Sequence, residues 1–331
     1  MAEAPKAPAR ERISLAALQA PFAEALARVD ERLLASLRPA ASFFEPVRGQ
    51  LTGGKRLRPL LLLICAQREA EALPPLALIL GSAVELVHLA SLMHDDVLDG
   101  APERRGLPSA PAALGSRRAV LAGDYLAAAA YQEVAAADLP EAGAALSNAV
   151  LRMTAAEVTG ALRVGELLSE AEYLDLIAGK TAALFATAAR LGAMAAEHDE
   201  AVLAGVTAYG ESLGMAFQIQ DDLLDLYGDA DRLGKGTHWD LAAGLYTLPV
   251  IYAAQAPGGE QIRQRLAELR ATPEDKALVA EIADLTRLLG GEARATAKMH
   301  EYLEVAATAL PPGFSPPALL DLAEYVSSRA S

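Results

Sequence analysis

Between Ile13 and Leu37, the residues Leu18, Phe22, Ala25, Leu26, Val29, Leu33 and Leu34 recur at intervals of three and four, leaving Glu24, Arg28 and Arg32 on another face. Apolar side chains at that period can be buried together only if the chain is helical. The same spacing predicts helices over about 55–69, 74–100, 116–137, 140–164, 169–195 and 198–227, with shorter ones in 246–331. Strand-like alternation is essentially absent. The breaks fall on Pro74-Pro75, Gly100 to Pro111, Gly234 to Gly236, Pro257-Gly258-Gly259, Gly290-Gly291 and Pro311-Pro312, residues that punctuate helices. Hydrophobic residues make up 53% of the chain and aromatics only 5%, so the apolar mass is mostly Ala and Leu. Both lose little side-chain freedom in a helix. No repeat or low-complexity linker divides the chain. The expectation is a single all-α domain over 1–331, with 1–12 as a flexible tail.

Charge narrows the partners. The 331 residues carry 29 Lys and Arg against 43 Asp and Glu, a net charge of −14. Nucleic-acid binding draws its affinity from cations on phosphates, so this balance argues against a nucleic-acid partner. An anionic substrate would have to be met by a local basic cluster or by metal ions. Cys65 is the single cysteine, which excludes an internal disulfide and a multi-cysteine metal site. Within the run Leu60 to Ala66 it reads as a buried, inert thiol. The charged, Pro-interrupted N-terminus lacks the apolar core of a signal peptide. Glu85 and Arg190 interrupt the most apolar stretches, whereas a membrane span needs about 20 largely apolar residues. A cytoplasmic protein without a transmembrane segment is expected.

Two aspartate clusters stand near the ends of long helices, Asp95-Asp96-Val97-Leu98-Asp99 and Asp221-Asp222-Leu223-Leu224-Asp225. The first and fifth residues of each are four apart and share a helix face. Like charges there repel, and the helix dipole opposes anions at a C-terminus. Divalent cations would relieve both penalties, and magnesium, a hard ion that bridges carboxylates to phosphates, fits best. A solvated acidic face is the alternative. Both clusters, however, follow strongly apolar turns, Val87 to Met93 and Leu213 to Phe217.

The opposite charge gathers in Gly53-Gly54-Lys55-Arg56-Leu57-Arg58-Pro59 and in Arg104-Arg105-Gly106. Cations at a helix start oppose the dipole unless an anion is held among them. Arginine's planar fork suits phosphate oxygens. Gly179-Lys180-Thr181 imitates the end of a P-loop, but Leu174 stands where the first glycine is required and no strand precedes it. Lys180 can still reach a phosphate from a helix. There is no HxxxH pair, HExxH motif or GxSxG elbow.

The ordered set resembles the trans-isoprenyl diphosphate synthases, or polyprenyl synthetases. It comprises GGKRLRP at 53–59, ELVHLASLMHDDVLD at 85–99, RRG at 104–106, GDYL at 123–126, YLDLIAGKTAALF at 173–185, FQIQDDLLD at 217–225, GK at 234–235 and DLAAGLYTLP at 240–249. The resemblance implies an isoprenoid synthase-type bundle around a deep central cavity, usually as a homodimer. It implies magnesium, three ions per site with diphosphate bound, on Asp95, Asp99 and Asp221, with Asp96, Asp222 and Asp225 completing the metal and water shell. Arg104, Lys180, Thr181, Gln218 and Lys235 resemble contacts to an allylic diphosphate. Lys55, Arg58, His88 and Arg105 resemble the metal-free site for isopentenyl diphosphate. Asp95, Asp99, Asp221, Arg104, Lys180 and Lys235 are the residues expected to serve ionisation. Two positions depart from the family pattern: Gly160 replaces a glutamine three residues after Glu157, and Leu245 replaces a lysine.

Ser91 and Ala90, four and five positions before Asp95, are small where short-chain members carry a bulky aromatic. They are expected to border the channel for the growing tail, giving a product of geranylgeranyl length or longer. A terpene cyclase, which also ionises prenyl diphosphates on aspartate-bound magnesium, is one alternative. A non-catalytic partner subunit is the other.

Overall fold

Pro21 breaks the first predicted helix, since proline lacks the N–H that an interior turn must donate. In the computed structural model, which describes residues 13–68, 71–228, 238–272 and 274–329, a short turn at Leu15–Gln19 precedes α1 at Ala23–Ser36. The expected tail at 1–12 and Lys235 lie outside the described residues. The long predicted helices form as α2 (Leu57–Ala66), α3 (Pro75–Leu98), α4 (Ser116–Ala136) and α5 (Pro140–Leu162). The segment expected as one helix over 169–195 is instead α6 (Glu170–Ile177) and α7 (Ala183–Ala195), joined by a π-helical turn at Ala178–Ala182. Next comes α8 (Glu200–Tyr227), the longest described helix. The C-terminal group is α9 (Leu248–Gln255), α10 (Glu260–Ala271), α11 (Lys276–Leu288), α12 (Gly291–Ala309) and α13 (Pro317–Ser328).

One strand pair appears where none was expected. β1 (Glu103–Arg104) and β2 (Leu107–Pro108) pair antiparallel across Arg105-Gly106. Both turn residues have positive φ, 54° and 73°, as a two-residue hairpin turn demands.

α3 is the core helix, packed by α1, α2, α4 and α7. It is also long and apolar enough, by length and composition, to cross a membrane. However, 72% of its most apolar window is buried inside the protein, and Glu85 within it is paired with Arg56 at 2.7 Å. α8 packs against α7, α12 and α13. The main apolar cluster runs from Val29 through Leu80, Phe185 and Ile219 to Leu319. A smaller cluster around Tyr246, Val250, Leu266 and Ile282 sits beneath the end of α8. Cys65 is fully buried, and burial pushes its thiol far above the usual range, as expected of an inert thiol.

Candidate active site

The end of α3 carries the first carboxylate pair. Asp95 and Asp99 are one turn apart, and the Asp99 amide donates to the Asp95 carbonyl at 2.8 Å. Burial pushes the Asp95 carboxyl up to about 6; Lys180 pulls it down, while Glu157 and Asp99 push it further up. Asp99 is raised in the same way, by burial first and then by Glu157 and Asp96 against the pull of Lys180 and Arg104. Lys180 and Arg104 do not offset the desolvation of these two carboxylates, and a divalent cation would supply the remaining positive charge. Oxygen donors fit a hard ion such as magnesium. Among the described residues no three acidic or histidine side chains converge into a preformed metal cluster, so substrate and water oxygens would have to complete the coordination.

Asp96 departs from the expected metal and water shell. It is completely buried; its carboxylate accepts from Arg104 Nε and, at 3.2 Å, from the Ala110 amide. It anchors the β1–β2 hairpin and the following helix start, which in turn holds Arg104 beside Asp95 and Asp99. Helical geometry explains the division of labour: at about 100° per residue, adjacent aspartates cannot face the same way.

The second cluster divides similarly. Asp222 is buried, accepting from the Tyr173 hydroxyl and from Gln218 Nε2 at 2.9 Å. Burial, followed by Asp240, holds its carboxyl well above the normal range. Thr181 Oγ1 donates to Gln218 Oε1 at 2.6 Å, so the π turn is tied directly to α8. The Asp225 carboxylate accepts the amides of Trp239 and Asp240, both at 3.2 Å, fixing the start of a short helix at Trp239–Ala242. Asp221 pairs with Arg329 at 2.6 Å. Sequence reasoning missed Arg329, which sits far from every motif.

Lys180 faces the first cluster. Its Nζ lies 2.8 Å from Glu157, and its pKa is raised because Glu157, Asp95 and Asp99 outweigh burial. The π turn widens the backbone here, as such bulges often do at functional sites. Gly179 lets the turn press on α5: a Cβ there would lie 2.8 Å from the Ala156 Cβ and 2.9 Å from the Arg152 carbonyl oxygen. At Gly160 an added Cβ would meet only Leu176, at 3.5 Å, so packing does not demand the missing side chain.

The basic motif at 53–59 also splits. Arg56, in a left-handed conformation at φ 47°, is buried and makes four bonds, to Asp30 (2.7 Å), Glu85 (2.7 Å), and the Gly53 (2.9 Å) and Leu51 (2.6 Å) carbonyls. It holds the loop. Lys55 is exposed, and Arg58 lies 4.6 Å over the Phe185 ring with its Nε buried and unpartnered among the described residues. Burial lowers the Arg58 pKa to about 10 against the pull of Glu85 and Asp221. The Arg105 guanidinium packs on Gly54, where any Cβ would collide with it. His88 is driven well below its usual pKa, first by burial and then by Arg58 and Arg105, and faces these arginines as a neutral imidazole. A cavity of about 220 Å³ opens between Gly53-Gly54, Arg104, Arg105 and the α3 residues Leu89, Leu92 and Met93.

Ser91 shares the Asp95 face and donates to the His88 carbonyl at 2.9 Å. Ala90 does not. Five residues turn a helix by about 140° from Asp95, which puts Ala90 on the face of His94. His94 packs over Gly123 of α4 and contacts the Val120 carbonyl at 3.2 Å. The glycine of the GDYL motif is therefore a seat for that imidazole.

Residues 41–286 match the Polyprenyl synthetase family. A nonaprenyl diphosphate synthase of Mycobacterium tuberculosis is 35% identical over 314 residues, 92% of each chain. A (2E,6E)-farnesyl diphosphate synthase of Mycobacterium bovis is 34% identical over 326 residues, 92% of this chain and 89% of that one. The structure also resembles that of a polyprenyl synthase from Caulobacter crescentus complexed with calcium and isoprenyl diphosphate. The TM-score is 0.88 at 31% identity, covering 98% of this chain and all of the other. The all-α isoprenoid synthase fold and the arrangement of carboxylates and cations thus come with a family assignment: the chain belongs to the polyprenyl synthetases, the prenyltransferases of isoprenoid biosynthesis.

Proposed function

We propose that this protein condenses isopentenyl diphosphate with an allylic diphosphate, releasing diphosphate and lengthening the allylic chain by five carbons. One observation carries the reading: two cationic sites of different character lie side by side. Lys180 and Arg104 stand among the carboxylates Asp95 and Asp99, whereas Arg58, Arg105 and His88 form a second group facing one another. The first suits a diphosphate bridged to magnesium; the second suits a diphosphate bound without metal.

Magnesium held by Asp95, Asp99 and Asp221 would supply positive charge to the departing diphosphate. Lys180 and Arg104 add hydrogen bonds where that charge develops. The allylic C1–O bond breaks, the double bond of isopentenyl diphosphate attacks C1, and a proton lost to the released diphosphate restores an allylic product. Asp96, Asp222, Gln218 and Tyr173 hold these groups in place. Arg58, Arg105 and His88 orient the second substrate.

We also propose a product of geranylgeranyl length or longer and a homodimer in the cytoplasm. Supporting the dimer, Leu151, Ala155, Val158 and Leu162 form an exposed apolar stripe on α5, with Leu121 exposed on α4. The test is incubation of the purified protein with isopentenyl diphosphate, magnesium and allylic primers of several lengths. Diphosphate release with a lengthened prenyl product is expected. Consumption of the allylic substrate alone would indicate a cyclase, and no turnover by the protein alone would refute catalysis by this chain.

A further inference from the structure

α13 ends by carrying Arg329 across α8, deep into the site. Gln220 Nε2 donates to the Arg329 carbonyl at 2.8 Å and fixes the backbone there. The side chain is only 9% exposed; its Nη2 binds Asp221 at 2.6 Å, and its guanidinium lies 4.3 Å over the Phe217 ring. Nε and Nη1 are buried with no hydrogen-bond partner among the described residues. Leaving such donors unmade is costly, and a native site that does so awaits an acceptor. Phe217 packs on Phe185 at 5.2 Å, and Phe185 carries Arg58 on its own ring. Arg58 Nε is likewise buried without a partner. Two guanidinium groups therefore flank one aromatic pair. Each keeps buried N–H groups without an acceptor among the described residues, and Asp221 acts on both.

Accepting the two-site reading above, we propose that Arg329 is a binding residue for the metal-free diphosphate, kept in reserve by Asp221. Without metal, the guanidinium neutralises that carboxylate. A divalent cation bound at Asp221 displaces it, and the freed planar fork joins Arg58 on the second diphosphate. Such coupling is reciprocal. Metal loading strengthens isopentenyl diphosphate binding, and an occupied second site favours metal at Asp221.

Two measurements on the full chain test this. In a calorimetric titration with Mn²⁺ alone, Arg329→Gln binds the ion severalfold more tightly than wild type, because Asp221 has lost its competitor. Equal or weaker binding would overturn the exchange. In steady-state kinetics with metal, Arg329→Gln raises KM for isopentenyl diphosphate about tenfold or more and leaves KM for the allylic substrate within about twofold, as loss of a charged hydrogen bond predicts. A fall in kcat with both KM values unchanged would mean Arg329 is only structural. Arg329→Lys keeps the charge without the fork, so it should lie between the two and stands in if the glutamine variant fails to fold. If wild type turns over no isopentenyl diphosphate, the proposed function fails. Calorimetric binding of isopentenyl diphosphate to wild type and variant then decides the Arg329 assignment, which equal affinities would overturn.

Discussion

At the scale of single residues, Asp95 sets a pH dependence. Its carboxyl titrates near 6, and a metal ligand must be ionised. Below about pH 6, apparent magnesium affinity should fall, approaching tenfold per pH unit; titrations in buffers from pH 5 to 7 would check it. Stability of the metal-free protein runs the other way. A carboxyl raised above its unfolded value of about 3.8 favours the folded state at low pH, so that contribution fades as pH rises from about 4 through 6. Asp95→Asn should remove this dependence and stabilise the metal-free protein while cutting turnover by orders of magnitude. Asp221→Asn should cut turnover too, but should destabilise, because it strips the buried Arg329 of its carboxylate partner. Denaturant unfolding of both variants separates the two expectations. From sequence alone, the two aspartates look equivalent, each starting a DDxxD motif on a helix. The difference comes from Arg329, more than a hundred positions away from Asp221, and no local pattern marks it.

At the scale of elements, helix positions were legible wherever packing follows a 3.6-residue period. α3, α4 and α8 fall within a residue or two of the predicted ranges. The π turn was not legible, because inserting one residue into a helical turn leaves the apolar spacing on either side nearly unchanged. Its only sequence trace is Gly179, whose place is set by the approach of α5. Gly179→Ala would push a methyl group into the Arg152 carbonyl and Ala156. Overpacking of this kind costs about 1–3 kcal/mol, and relief comes by straightening the turn, which would draw Lys180 away from Asp95 and Asp99. The expected result is a lower midpoint in denaturant together with a raised KM for the allylic diphosphate. An unchanged KM would show that Lys180 is positioned by Glu157 alone. The hairpin at 103–108 was hidden for a different reason: two-residue strands are too short for any alternation, and only Arg105-Gly106 hints at the turn.

At the scale of the whole molecule, the question is where a growing chain goes. Ser91 and His88 lie on the face that carries Asp95, and the cavity beside Arg104 and Arg105 reaches Leu89, Leu92 and Met93 on α3. Ala90 belongs to the other side, one turn before His94 at the α3–α4 contact. The relatives do not decide product length, since nonaprenyl and farnesyl synthases are similar to this chain to almost the same degree. Length is therefore set by what stands along α3 and its neighbours. Ala90 is buried at 5% exposure, so a phenylalanine there has no solvent to turn to and must displace α4 or enter the space below the aspartates. Ala90→Phe should shorten the product by at least one five-carbon unit through the second route. It should also cost about 1–3 kcal/mol in stability from overpacking. Ser91→Phe, on the face of Asp95, should shorten it further with a smaller loss of stability, because Ser91 is only partly buried. Chromatography of products made with excess isopentenyl diphosphate compares the two. If Ala90→Phe alters stability but leaves product length unchanged while Ser91→Phe shortens it, the tail runs along the Asp95 face. If only Ala90→Phe shortens the product, the tail passes between α3 and α4.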